Sequence, residues 1–331
     1  MPKVLITGAS GFVGSWLVQE SLSRGWETYA GIRSTSSKEL LKDDRIHFVI
    51  LDFSDDKHMR SLLLDGQFDY IIHNAGVTRA QQDAIYFKVN ATYSHRFAEL
   101  ALEILGDQLQ KFVYISSIEA YGSADDTPDE VVNNQVTPNP RTTYGLSKLR
   151  AEQSLLSIPS LPLIILRPTA VFGPAEKDFF AFWKTIKTYR VTPTVGNKHI
   201  KYTFIYVKDL ARVVMDAASS KIIQRAYFVG DGRIHKMGDF LSHIAKSLGI
   251  KTLSFTIPYF IIDTAASVTG VLDKLTGKKS LLNDEQVAKA KAQNWDCDIS
   301  DLVTDLGFLP RYTLEDAVHE TTEWYLEQGW I

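Results

Sequence analysis

The chain has 331 residues, 45% of them hydrophobic and 23% charged, with a formal net charge of −3 and one cysteine. That length suits two domains, or one large domain with an appended lobe. With no lysine or arginine block, nucleic-acid binding has no electrostatic support, and lone Cys297 excludes a disulfide within the chain, which fits a reducing, cytoplasmic setting.

Residues 3–7 (KVLIT) read as a strand that begins at once, with no signal-peptide pattern before it. WLVQESLSR reads as a helix ending near Gly25. ETYAGIR, HFVILD and DYIIHNAG read as the second, third and fourth strands, and a long helical segment spans roughly 80 to 105. KFVYISS is the fifth strand and LPLIILRP the sixth. Strands alternating with helices predict an α/β Rossmann-type, doubly wound parallel sheet, and the continuous apolar runs suit strands buried on both faces. After Arg167-Pro168 the rhythm loosens. AYFVGDG predicts one more strand returning to the sheet near 226–230, and MGDFLSHIAKSLG a helix; from about 233 the tail reads as mostly helical. The expected division is a dinucleotide-binding domain over 1–171 and a smaller, discontinuous, mostly helical substrate lobe over 172–331. The most apolar stretch, 257–272, is shorter than the roughly 20 residues a spanning helix needs and carries Asp263, so no membrane span is expected. His73 reads as a strand residue rather than a ligand, and no zinc spacing is present.

Gly8, Gly11 and Gly14 lie three apart between the first strand and a helix starting near Phe12. Gly8 permits the tight turn, Gly11 lets the backbone approach a pyrophosphate, and Gly14 lets helix and sheet pack closely. The helix N-terminus then offers free N–H groups to the phosphates. The spacing is GxxGxxG, not the commoner GxGxxG. At the end of the second strand, where an acidic residue would hold the ribose 2′-hydroxyl of NAD(H), the chain has Ile32, Arg33 and Ser34. Arg33 can pair with a 2′-phosphate and Ser34 can add a hydroxyl, so NADP(H) is favoured over NAD(H).

Tyr144 and Lys148 are four apart and share a helix face. The fifth strand ends at Ser116 and Ser117, where such folds do chemistry. A phenol can move a proton to or from a substrate oxygen, a neighbouring ammonium favours its phenolate, and a serine hydroxyl can bind the oxygen as charge develops.

These motifs resemble the extended short-chain dehydrogenases/reductases, which include nucleotide-sugar epimerases and dehydratases, 3β-hydroxysteroid dehydrogenases and dihydroflavonol reductases. TGASGFVG, HNAG (73–76), YGLSK, RPTAVFGP (167–174), YTFIYVKDLARVV (202–214) and the C-terminal WDCDISDLVTDLGFLPRYTLEDAVHETTEWY carry the resemblance over essentially the whole chain. It implies Tyr144 as the acid/base, Lys148 as the residue that binds the nicotinamide ribose and tunes Tyr144, and Ser117 as the group that polarises the substrate, with Ser116 as the alternative. Asn90 matches the family's helix asparagine near the active site, or else it caps backbone groups. Asp52 would contact adenine, or else form a strand-end turn. The implied cofactor cleft also takes in Thr7, Ser10, Phe12, Val13, Phe53, Asn74, Ala75, Gly76, Pro168 and Val171. A homodimer through the helices around 80–105 and 143–157 is expected from the resemblance alone.

The substrate is less legible. Where the family's nucleotide-sugar enzymes carry a diphosphate-binding arginine, this chain has Tyr202 beside Lys201; Lys177, Lys184, Lys187 or Arg190 could compensate. Phe179, Phe180, Phe182 and Trp183 cluster in the second lobe, either as an apolar pocket or as that lobe's own core. The expected activity is hydride transfer between NADP(H) and a secondary alcohol or ketone (or aldehyde) on a small, hydrophobic molecule. A nucleotide-sugar epimerase or dehydratase, and a non-catalytic cofactor sensor, are the alternatives.

Overall fold

A computed structural model describes residues 1–124, 131–196, 200–261, 264 and 294–331. Its centre is a parallel sheet of seven strands: β1 (Lys3–Thr7), β2 (Glu27–Ile32), β3 (His47–Ile50), β4 (Tyr70–His73), β5 (Lys111–Ile115), β6 (Leu163–Pro168) and β11 (Arg225–Val229). The spatial order is β11-β6-β5-β4-β1-β2-β3. The order reverses between β1 and β4, so their C-terminal ends open the crevice in which such sheets bind ligands. Thr7 is in register with Gly31 of β2 on one side and His73 of β4 on the other. β5 and β6 are buried along their whole lengths, as their apolar runs require.

Helices cover both faces. On one, α1 (Phe12–Ser23) packs beside α7 (Val207–Ser219), with Leu17, Val18, Leu210 and Val214 in the shared core. On the other lie α2 (Asp56–Gly66), α4 (Ser94–Leu105) and α5 (Thr143–Leu156), which bury Leu63, Phe97 and Leu155 against the sheet. Asp55 caps α2 by accepting from the N–H groups of Lys57 and His58, and Thr142 caps α5 through Gly145 N–H. The segment read as one helix over 80–105 has three parts: α3 (Asp83–Phe87), a π-helical turn (Lys88–Tyr93) and α4.

A second lobe gathers α6 (Phe180–Tyr189), α8 (Met237–Ser247) and the C-terminal helix Leu314–Glu327 around a third core. Thr313 and Asp316 close that last helix with a reciprocal capping box. Three short parallel ladders stand apart from the main sheet: β7 (Ala170–Phe172) with β10 (Phe204–Tyr206), β8 (Val191–Val195) with β12 (Leu253–Ile257), and β9 (Lys201–Tyr202) with β13 (Asn294–Trp295). The strands β12 and β13 lie in the tail that reads as helical from sequence. Most of the apolar stretch 257–272 falls outside the described residues. Among the described residues no helix is long and apolar enough to cross a membrane.

Candidate active site

The glycine turn is built as its spacing demands. Gly8 has φ +65°, and a Cβ there would meet Ala75 and Asn74 backbone atoms at 3.0 Å, so the turn sits directly on the end of β4. Gly14 lies against the same turn: a Cβ would stand 2.1 Å from the Gly8 carbonyl oxygen. The first i→i−4 bond of α1 runs from Ser15 N–H to Gly11 O at 2.9 Å. The N–H groups of Phe12, Val13 and Gly14 precede it, no side chain caps the helix, and no acidic residue occupies its first turn. An uncapped, acid-free N-terminus beside a glycine turn fits a bound pyrophosphate. Ser10 and Phe12 stand half-buried along this turn, and Val13 also touches the core of the second lobe.

Thr7 joins the two strand ends. Its hydroxyl oxygen accepts from Asn74 N–H (3.1 Å) and Ala75 N–H (3.0 Å), so its proton goes to His73 Nδ1, 2.9 Å away. That fixes the tautomer: Nε2–H donates to Ser94 Oγ at 2.8 Å. Burial, and then the Lys148 charge, pull His73 down to about 3, so it stays neutral. His73 is therefore a buried bridge between Thr7, which holds Asn74 and Ala75, and Ser94.

Arg33 is the first residue after β2. It is exposed, and its side chain makes no ion pair or hydrogen bond among the described residues; its backbone closes a turn with Ser36, next to exposed Ser34. Asp52 follows β3 and accepts from Ser54 N–H (3.0 Å) and Oγ–H (2.6 Å), which makes it a turn former whatever else it contacts. Phe53 packs edge-on against His73 and Phe97.

The candidate reacting groups converge where β5 ends. Ser116 and Ser117 point apart. Ser116 Oγ donates to buried Glu152, while Ser117 caps a 3₁₀ turn (Ile118–Ala120) and hydrogen-bonds Tyr144. Ser117 is therefore the serine that faces the phenol. Lys148 Nζ donates to Ile115 O at 2.8 Å, lies 4.8 Å from the Tyr114 ring, and stands 3.5 Å from where a Cβ on Gly76 would be. Burial lowers Lys148 to about 8 and Glu152 works against that fall. Burial pushes the Tyr144 phenol well up, the Glu119 carboxylate adds to it, and Ser117 opposes it. In this state Tyr144 holds its proton, against the simple expectation that the nearby ammonium would lower it.

Asn90 sits in the π-helical turn. Its Oδ1 accepts from Val77 N–H (2.8 Å), and its Nδ2 donates to Val77 O (3.0 Å) and Ser147 Oγ (2.9 Å). Its polar atoms are committed to the loop after β4 and to α5, so it positions both. Pro168 ends β6 and Val171 lies in β7, packed against two of the cores. Tyr86 braces the site from α3: its hydroxyl accepts from Ala80 N–H, and its ring stands 6.4 Å from Tyr144, edge-on. The parts that sequence reasoning passed over are Glu119, Thr142, Ser147 and Glu152, along with the bridging contacts of His73. Only Thr142, a threonine just ahead of a helix, carried a readable signal.

The aromatic cluster of the second lobe resolves as its core. Trp183 is fully buried against Phe240 and Tyr325 and donates to Thr322 Oγ1, with Phe179, Phe180 and Phe182 packed around it. Tyr202 is tied into backbone bonding with His235, and Lys184, Lys187 and Arg190 are exposed.

A model of the NAD dependent epimerase/dehydratase family matches residues 4–230. The chain belongs to this family. UDP-glucose 4-epimerase of Vibrio cholerae is 24% identical, over 99% of this chain and 97% of that protein. A Synechocystis protein provisionally named dihydroflavonol 4-reductase is 25% identical, over 98% and 95%. The solved structure of the Bordetella bronchiseptica enzyme WbmG, in complex with NAD and UDP, superposes with a TM-score of 0.78 at 17% identity, over 98% of this chain and 95% of that one. The epimerase/dehydratase match ends at the return of β11, so the C-terminal helices lie beyond it.

Proposed function

We propose that the protein is an NAD(P)-dependent enzyme that interconverts a secondary alcohol and a ketone on a small molecule. The observation that carries this reading is the convergence of Ser117, Tyr144 and Lys148 at the end of β5, beside Gly76 and across from the glycine turn. The bound nicotinamide would supply or accept the hydride. In the reductive direction Tyr144 gives its phenolic proton to the carbonyl oxygen as the carbonyl carbon gains hydride, and the Ser117 hydroxyl donates to the same oxygen. Lys148 holds the cofactor ribose. Arg33, whose side chain has no partner among the described residues, favours the 2′-phosphate of NADP(H). The aromatic cluster gives no support to a hydrophobic substrate, because its rings are the lobe's core.

A second reading, a nucleotide-sugar epimerase or dehydratase that retains and recycles its cofactor, is favoured by the UDP-glucose 4-epimerase relative and by the NAD and UDP bound to WbmG. Tyr202 in place of the diphosphate arginine weighs against it. Mass spectrometry of the purified protein for retained nicotinamide, with turnover of added NADPH and NADH against ketone and UDP-sugar panels, separates the two. Net cofactor consumption with a ketone supports the first reading. A retained cofactor with UDP-sugar conversion and no net consumption replaces it with the second. A homodimer across α3 and α5, which expose Ile85, Leu146 and Leu156, is proposed alongside and tested by light scattering.

A further inference from the structure

Helix α5 carries a second buried charge one turn beyond Lys148. Glu152 is 2% exposed and Arg167, its partner on β6, is 3% exposed. Arg167 donates to Glu152 through Nε (3.0 Å) and Nη2 (2.6 Å), and its guanidinium lies against the rings of Tyr121 (4.3 Å) and Phe228 (5.2 Å). A buried pair of this kind contributes little net stability, since desolvation offsets the attraction. Its placement is more informative. The same carboxylate accepts from Ser116 Oγ, and Ser116 stands between Ile115, whose carbonyl takes the Lys148 ammonium, and Ser117.

The surroundings of Lys148 narrow the electrostatics. From β4 it faces His73, which is neutral; from β5, the Tyr114 phenol, which burial keeps protonated. From its own helix it faces Tyr144, also protonated, and Glu152. Arg167 of β6 has the same sign as the lysine and is already paired. Asn90 and Gly76 add no charge. Glu152 is the anion that acts on Lys148.

We propose that Glu152 is a positioning residue for the reaction: its carboxylate anchors the end of β5 that carries Ser117, and it stands, buried, one helical turn from Lys148 as its countercharge. This rests on the reading of Lys148 as the residue that meets the cofactor ribose.

The test follows NADPH binding by nicotinamide fluorescence across roughly pH 6 to 9.5 in wild type, Lys148→Met and Glu152→Gln. Wild-type affinity is expected to weaken as the pH passes about 8, where Lys148 gives up its proton, and Lys148→Met to bind weakly with a flat profile. Glu152→Gln keeps shape and an acceptor for Ser116 but no charge, so its loss of affinity should begin about one pH unit lower or more. That variant leaves the Arg167 cation buried without a countercharge, with Asn134 Oδ1 still accepting from its Nη1, and can fail to fold. The double variant Glu152→Leu/Arg167→Met replaces the pair with apolar side chains of similar volume, an exchange that proteins commonly tolerate, and should shift in the same direction. A folded Glu152 variant with the wild-type profile overturns the proposal. If Lys148→Met itself binds as wild type does, the underlying reading of Lys148 fails instead.

Discussion

Replacing Gly14 by alanine adds one methyl group at the most crowded point of the nucleotide turn. The new Cβ would lie 2.1 Å from Gly8 O and 2.8 Å from both Ala9 Cα and Gly8 C. A carbon–oxygen contact normally settles near 3.3 Å or more, so helix and turn must part by about 1 Å. All three neighbours are backbone atoms, and no side chain can rotate away. Overpacking of this kind costs about 1–3 kcal/mol, partly offset by the roughly 1 kcal/mol that alanine gains over glycine in a helix. Stability should therefore change modestly. Cofactor affinity should change more, because the displaced turn carries the donors of Phe12, Val13 and Gly14, and hydrogen bonds to a charged group are worth about 1.5–3 kcal/mol each. Weakening one of them raises Kd about tenfold or more. Gly238 is the control. It lies in α8 with ordinary φ and no atom within 4 Å of a Cβ. Gly238→Ala should leave affinity unchanged and raise Tm by about 2 °C. Melting curves and fluorescence titrations with NADPH and NADH measure both. A Gly14→Ala protein that binds both cofactors as wild type does would refute the assignment of this turn to the pyrophosphate.

Three other outcomes follow from the site. Tyr144→Phe should lower turnover by about 10²–10⁴-fold while leaving cofactor Kd unchanged; near-full turnover by stopped-flow absorbance would remove Tyr144 from the chemistry. Arg33→Ala should raise the Kd for NADPH by roughly 10- to 100-fold and leave NADH nearly unaffected; equal losses for both would dissociate Arg33 from the 2′-phosphate. His73 is neutral and buried, with its folded pKa depressed from 6.5 to about 3. Its contribution to stability is complete above pH 6.5 and is lost as the pH falls toward 3, because over that window the unfolded chain takes up a proton that the folded one refuses. Urea unfolding at stepped pH should show His73→Gln less stable than wild type at pH 7, with a shallower decline below 6.5; parallel declines would mean His73 does not titrate this way.

The sheet was legible because burial on both faces leaves unbroken apolar runs such as LIILRP and KFVYI, and because the helices between them carry a different period. The return of β11 was legible for the same reason. Helix α2 was not singled out: in DKHMRSLLLDG the charged positions outweigh a narrow apolar stripe of Met59 and Leu63, and its start rests on the single cap Asp55. The break at Lys88–Tyr93 was hidden because a π turn changes no residue type, only the aim of Asn90. The strands β12 and β13 pair with β8 and β9 across long sequence separations, and β13 is only two residues long, so no local pattern marks it.

The site divides along the same physical line. Tyr144 and Lys148 could be read because helical geometry alone brings positions four apart together. The choice between Ser116 and Ser117 could not, because it depends on which hydroxyl a buried carboxylate on another element claims. Glu152 claims Ser116, which leaves Ser117 to the phenol. His73 works similarly at β4, where its fixed tautomer links Thr7 to Ser94 and holds the loop that Asn90 also grips. Both devices are polar residues that read as ordinary core in one dimension and take their meaning from contacts 21 to 66 residues apart. Both also couple to the same lysine. His73 remains neutral beside the Lys148 ammonium, while Glu152 favours its charge. The cleft thus surrounds one buried cation with groups that decline a second positive charge and one group that supplies the negative one. On the proposed reading, a charged lysine and a protonated tyrosine are what a proton donor beside an anionic cofactor requires.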